Sequence, residues 1–156
     1  MSLIELSATE AVQKIRDGEI TSEELVRACL DRVDQVDGDI EAWAHLKPEY
    51  AIEQAQALDA QRQAGGALGP LHGIPVGIKD IINTESLPTE NGTVLDAGRQ
   101  PTEDSRVVCL LKEAGAVIMG KTVSTELAVY GPGKTKNPHN TGHTPGGSSS
   151  GSAAAV

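Results

Sequence analysis

The chain has 156 residues, thirteen Lys/Arg against twenty-two Asp/Glu for a net charge of −9, 38% hydrophobic residues and only 2% aromatics. That length allows a domain with a real core, built from Leu, Val, Ile and Ala because Phe is absent. An acidic chain repels phosphate backbones, which argues against nucleic acid as a direct ligand. The absence of a basic-then-apolar leader or of a bilayer-length apolar run predicts a cytoplasmic protein with no membrane partner.

Charge and glycine both change near residue 64. Residues 1–64 carry fourteen acidic and six basic side chains and only two of the seventeen glycines, Gly18 and Gly38. Residues 65–156 carry eight and seven, with the other fifteen glycines. The division predicts a helical N-terminal region, 1–64, followed by a loop-rich, near-neutral region, 65–156, suited to a small-molecule site.

In chain order, Ser7 and Glu10 form an S-x-x-E capping box ahead of Ala11, Val12 and Ile15, with Gly18 as the stop. Thr21 and Glu24 form a second box, opening a helix whose apolar face runs Leu25, Val26, Cys29, Leu30, Val33, Val36. Ala42–Leu46 suits a short strand. Pro48 suits the first turn of a third helix, ending near Ala64 before Gly65-Gly66. Gly73–Ile82 is an apolar extended run with Lys79 in its middle. A helix from about Asp104 to Ala114 hands over at Gly115 to a strand, Ala116–Met119, and another short helix is expected to begin at Ser124 or Thr125. Residues 131–152 read as loop, with a final helix opening at Ala153. Strand–helix–strand order with buried-looking strands argues an α/β fold. Cys29 and Cys109 have no CxxC spacing and lie on predicted apolar faces, so buried free thiols are expected.

Two places could carry chemistry. Lys79 sits among Ile78, Ile81 and Ile82. Burial disfavours a charged amine, which would leave a base able to take a proton near neutral pH; the alternative is a strand-end lysine snorkelling to solvent. The run Pro145-Gly146-Gly147-Ser148-Ser149-Ser150-Gly151-Ser152 offers hydroxyls beside a helix N-terminus, where negative charge is favoured, although a short Gly/Ser linker has the same composition. Gly115–Thr122 matches the phosphate-loop pattern G-x-x-x-x-G-K-[ST] letter for letter. Its four middle residues read as a buried strand, however, and a phosphate loop must be a loop with N–H groups turned inward, so no nucleotide site is expected. His139 and His143 flank turn residues rather than a helix face and lack further ligands, so no metal is expected, and no cofactor is called for.

With Lys79, Gly120-Lys121-Thr122 and the serine loop in this order, the chain resembles the amidase signature family over nearly its whole length. The likeness is most specific in Gly73–Asp80 and Pro145–Ala155. Within the family, Gly77–Ile82, Pro88-Thr89-Glu90 and Asn137–His143 look most like the bacterial malonamidase branch. The resemblance implies the N-terminal part of an α/β/α fold, a mixed sheet flanked by helices. It also implies hydrolysis of a small-molecule carboxamide to carboxylate and ammonia by a Ser–cisSer–Lys triad. In that triad Lys79 is the lysine and Ser148 the bridging serine, joined to Gly147 by a cis bond, with Gly146, Gly147 and Ser149 supporting the loop or contacting substrate. The family's nucleophilic serine lies beyond Ala153–Val156, so the 156 residues are expected to be inactive alone. They are also expected to self-associate or to be held by the remainder of an enzyme, with Val117, Ile118, Ile78 and Ile81 left for later segments to cover. An amidase-type subunit of a glutamine-dependent tRNA amidotransferase, or a shortened non-catalytic paralogue acting as a binding or oligomerisation module, are the other readings.

Overall fold

The computed structural model describes residues 2–129 and 131–156. Helix α1, Ala8–Asp17, opens on the Ser7/Glu10 box and closes on Gly18 in the left-handed region. Helix α2 spans Ser22–Ile40, strand β1 Trp43–Leu46 and helix α3 Pro48–Gln63, with the proline in its first turn. Strand β2, Pro75–Lys79, precedes helix α4, Arg106–Glu113, and strand β3, Val117–Thr122. Helix α5, Ser150–Ala155, comes last.

The three strands form one sheet in the order β1-β3-β2. β1 runs antiparallel to β3, with Trp43 opposite Thr122 and Leu46 opposite Gly120, and an irregularity between Trp43 and His45. β2 runs parallel to β3, because Val117 N–H bonds Ile74 C=O and Asp80 N–H bonds Thr122 C=O, two links that climb both strands together. The sheet is therefore mixed and the fold α/β.

Four expectations need correction. The helix expected from Ser124 or Thr125 is a single 3-10 turn, Glu126–Ala128, with Leu127 and Ala128 at positive φ. Hydrogen bonds from Thr125 Oγ1 to Val129 C=O and from Thr125 N–H to Ser148 C=O draw that backbone away from a helical path. Helix α5 begins three residues before Ala153, because Ser150 and Gly151 pack into buried positions. Cys29 and Cys109 are thiols, as expected, but half-buried rather than buried. Finally, Val117 and Ile118 have no exposed surface and Ile78 is 3% exposed, leaving Ile81 alone of the four open to solvent, at 38%. Strand β3 is the middle strand of the sheet and buried at all six positions, so its apolar side chains are already covered.

The residues cluster into two compact units, interleaved along the chain. One comprises residues up to Asp34, Lys47–Val76 and Cys109–Met119; the other comprises Gln35–Leu46, Gly77–Val108 and Gly120–Val156. In the first, Ala11, Ile15, Leu25 and Ile74 form a core, packed by Leu3, Leu6, Val12, Ile20, Cys29, Leu71 and Val76. The start of α2 is tied down twice. Thr21 and Glu24 exchange side-chain-to-backbone bonds of 3.0 and 2.7 Å. The buried Asp59 carboxylate, from α3, accepts the N–H groups of Ser22 at 2.8 Å and Glu23 at 3.0 Å, which a helix leaves without intrahelical partners. Gln54 holds β3 in the same unit, bonding the C=O and the N–H of Ile118.

His72 is buried in this unit. Its Nε2 meets the Leu58 carbonyl at 3.1 Å, whereas Nδ1 is buried with no hydrogen-bond partner. Burial, the largest influence, holds the imidazole below its ordinary titration range, against the Leu58 carbonyl and Asp59. An unfolded histidine titrates near 6.5, so just below that pH the unfolded chain binds more protons than the native one and stability falls as pH falls. Urea midpoints should therefore drop between pH 7.5 and pH 5.5, and by less in His72→Gln, which keeps a donor for Leu58. An equal drop in the two proteins would contradict the assignment.

Candidate functional site

Lys79 and Ser148 are 69 residues apart in sequence, and both belong to the second unit. Lys79 ends β2, and its Nζ donates to Ser148 Oγ at 2.6 Å. Both residues are half-buried. The serine is presented by a tight loop: Gly146 has φ +90°, and the Gly147–Ser148 peptide bond is cis. A Cβ on Gly147 would lie 2.8 Å from Thr125 Cγ2, so glycine is required there for the loop to pass Thr125. The Ser148 carbonyl accepts the Thr125 N–H at 3.0 Å. A lysine amine bonded to a serine hydroxyl can pass a proton either way, its neutral form accepting and its ammonium donating.

The remaining loop residues divide by environment. Gly146 and Gly147 join Thr125, Ala128, Val129, Pro132, Thr144 and Ser148 in lining an open cleft of about 460 Å³. Ser149 is exposed at the start of α5, and its side chain makes no cap bond. Ser150 is buried with its hydroxyl near the Val123 carbonyl, and Ser152 bonds Thr122 Oγ1 at 2.7 Å. Helix α5 thus docks beside β3 through hydroxyls. Gly151 lies where the Ala42 carbonyl and Val123 N–H meet, leaving no room for a Cβ.

The residues of the phosphate-loop pattern are strand. Val117–Thr122 is β3, and Lys121, within it, is fully buried. Its Nζ donates to Ile82 C=O at 2.7 Å and Thr89 Oγ1 at 2.6 Å, and lies 3.6 Å from Asp80 Oδ1. Burial pushes this ammonium down to about 8, against Asp80, which pulls it up. Asp80 also accepts the N–H of Glu90 at 3.1 Å. Neither this cluster nor Thr125 is legible as part of the site from sequence spacing. The only hint of the first is an isolated lysine at the end of an apolar run. Among the described residues, no group of three His, Cys, Asp or Glu side chains is placed to hold a metal ion, and no helix is long and apolar enough to cross a membrane.

The amidase family model matches residues 24–156. The glutamyl-tRNA(Gln) amidotransferase of Thermobifida fusca has an amidase-like subunit that is 45% identical across 99% of this chain, which covers 32% of that protein. The native peptide amidase of Stenotrophomonas maltophilia superposes with a TM-score of 0.91 at 36% identity, over 97% of this chain and 34% of that one. A chain from a vestigial protein complex bearing on the origin of an s-triazine catabolic enzyme gives 0.90 at 32% identity, over 97% and 35%. The chain spans about a third of the length of the curated relatives it matches.

The docking of α5 can be tested by contrast. Gly151→Ala pushes a methyl group into two backbone groups and should destabilise by about 1–3 kcal/mol, as overpacking does. Gly38→Ala, in α2 with nothing within 4 Å of its would-be Cβ, should stabilise by about 0.4–1 kcal/mol. Thermal unfolding of both variants checks the pair, and a neutral Gly151→Ala would contradict the packing described.

Proposed function

The chain belongs to the amidase signature family, and from that premise we propose that Lys79 and Ser148 are the proton-moving pair of an acyl transfer from a small carboxamide. The observation that carries this reading is the 2.6 Å contact between Lys79 Nζ and Ser148 Oγ beside an open cleft. In the reaction, neutral Lys79 takes the Ser148 hydroxyl proton as Ser148 takes one from a second serine. That serine's oxygen attacks the amide carbon. The Lys79 ammonium then returns the proton through Ser148 to the departing amine, and water hydrolyses the acyl ester to carboxylate. Gly146 and Gly147 shape the cleft wall, and Ser149 supports the loop from its exposed side. The second serine is supplied from outside these 156 residues, so this stretch alone releases no ammonia.

A second reading has specific support. Identity of 45% across nearly the whole chain with a component of a tRNA-dependent amidotransferase weighs more than the short motifs that point to the malonamidase branch. On this reading glutamine is the carboxamide, and the ammonia is passed to partner proteins that act on tRNA-bound substrate. The same lysine and serine serve both readings.

Ammonia release from glutamine and from simple aliphatic amides, by the natural full-length protein, tests both. Lys79→Ala and Ser148→Ala should each cost at least about 100-fold, the lower end of general acid–base effects. Glutamine turnover that rises when amidotransferase partners and charged tRNA are added selects the second reading. Unchanged turnover in Lys79→Ala would overturn both, and Lys79-dependent turnover by the 156 residues alone would put the nucleophile inside them.

A further inference from the structure

Lys121 is a fully buried amine that the proposed proton relay does not use. Successive side chains of a strand point to opposite faces, and the ends of β2 and β3 use both faces. Lys79 of β2 and Thr122 of β3 reach the serine segment, bonding Ser148 and Ser152. Their neighbours Asp80 and Lys121 meet each other 3.6 Å apart. Between the two pairs, the Asp80 N–H bonds the Thr122 carbonyl at 2.9 Å.

Lys121 gathers the chain that leaves β2. Its Nζ bonds Ile82 C=O and Thr89 Oγ1 and lies 3.5 Å from Thr84 Oγ1. The Asp80 carboxylate adds the N–H groups of Glu90 and, at 3.4 Å, Gly92. Residues 80–92 are thereby folded back onto one buried ion pair directly behind Lys79. A buried pair broken on one side leaves an uncompensated charge, so the arrangement tolerates little slack.

We propose that the Lys121–Asp80 ion pair is a positioning device for Lys79, fixing the end of β2 from the face opposite Ser148 so that the amine meets the serine hydroxyl. This rests on the role proposed above for Lys79. Lys121 and Asp80 touch neither substrate nor reacting atoms; they act through the backbone of β2. Displacement of a catalytic group by about 1 Å can cost about 100-fold in rate, and it does so without loosening substrate binding.

The test is steady-state kinetics of the full-length natural protein on its best carboxamide. Lys121→Met should lower kcat about 100-fold while KM stays within about threefold, and Lys121→Arg should recover part of the loss. Asp80→Asn should act in the same direction, and the double variant Asp80→Asn/Lys121→Met should fall little below the worse single one, because the two act as a unit. Should Lys121→Met not fold, Thr89→Val removes one acceptor of the ammonium and should still lower kcat about 10-fold at unchanged KM. Asp59→Ala, which uncaps α2, serves as the control for stability and should keep kcat. The inference fails if Lys121→Met or Thr89→Val leaves kcat within threefold of wild type while Lys79→Ala abolishes turnover. It also fails if Asp59→Ala lowers kcat as much as Lys121→Met does. If Lys79→Ala leaves turnover intact, the reading of Lys79 itself is what falls.

Discussion

The two faces of a β-strand cannot be addressed independently: fixing a side chain on one face fixes the backbone that aims its neighbour at the other. Lys79 and Asp80 at the end of β2, and Lys121 and Thr122 at the end of β3, turn this constraint into a site. The buried Lys121–Asp80 contact holds one face, and Lys79–Ser148 with Thr122–Ser152 occupies the other. A lysine carried on a free loop would lose rotamer entropy of up to about 2 kcal/mol each time it met the serine. A lysine at the end of a hydrogen-bonded strand needs only its own side chain to be ordered.

The serine segment is held with the same economy. Thr125 receives the loop at the Ser148 carbonyl and meets Gly147 at a distance no larger residue allows. Helix α5 then anchors on β3 through small residues, Ser150, Gly151 and Ser152, rather than through an apolar face. These residues are poor helix formers, and contacts with β3 and Ala42 supply what propensity does not. The cleft beside Ser148 is walled by backbone and small side chains, which leaves room for a small amide.

Much of this was legible in the residues alone, and where it was, a local physical rule carried it. Capping boxes at Ser7 and Thr21, Pro48 in a first turn and Gly18 as a stop mark helices because each acts on backbone groups a few residues away. The burial of Gly115–Thr122 followed from its apolar run, which separated a strand from a phosphate loop of identical letters. What could not be read was set by partners distant in sequence. Asp59 caps α2 from α3, and Lys121 finds Asp80 from another strand. The turn at Glu126–Ala128 departs from a helix because Thr125 bonds a serine loop more than twenty residues on. The pairing of Lys79 with Ser148 came from family resemblance, since no spacing rule joins residues so far apart.

The claim on which the rest depends is that strand β2 delivers its terminal amine to the serine loop. A high-resolution crystal structure of this chain at neutral pH tests it most directly. The strand geometry predicts Lys79 Nζ within about 3.2 Å of Ser148 Oγ, the ordinary range of a hydrogen bond, with Lys121 buried against Asp80 on the reverse face. A well-ordered Lys79 side chain directed into solvent, with Ser148 bonded to another group, would contradict it.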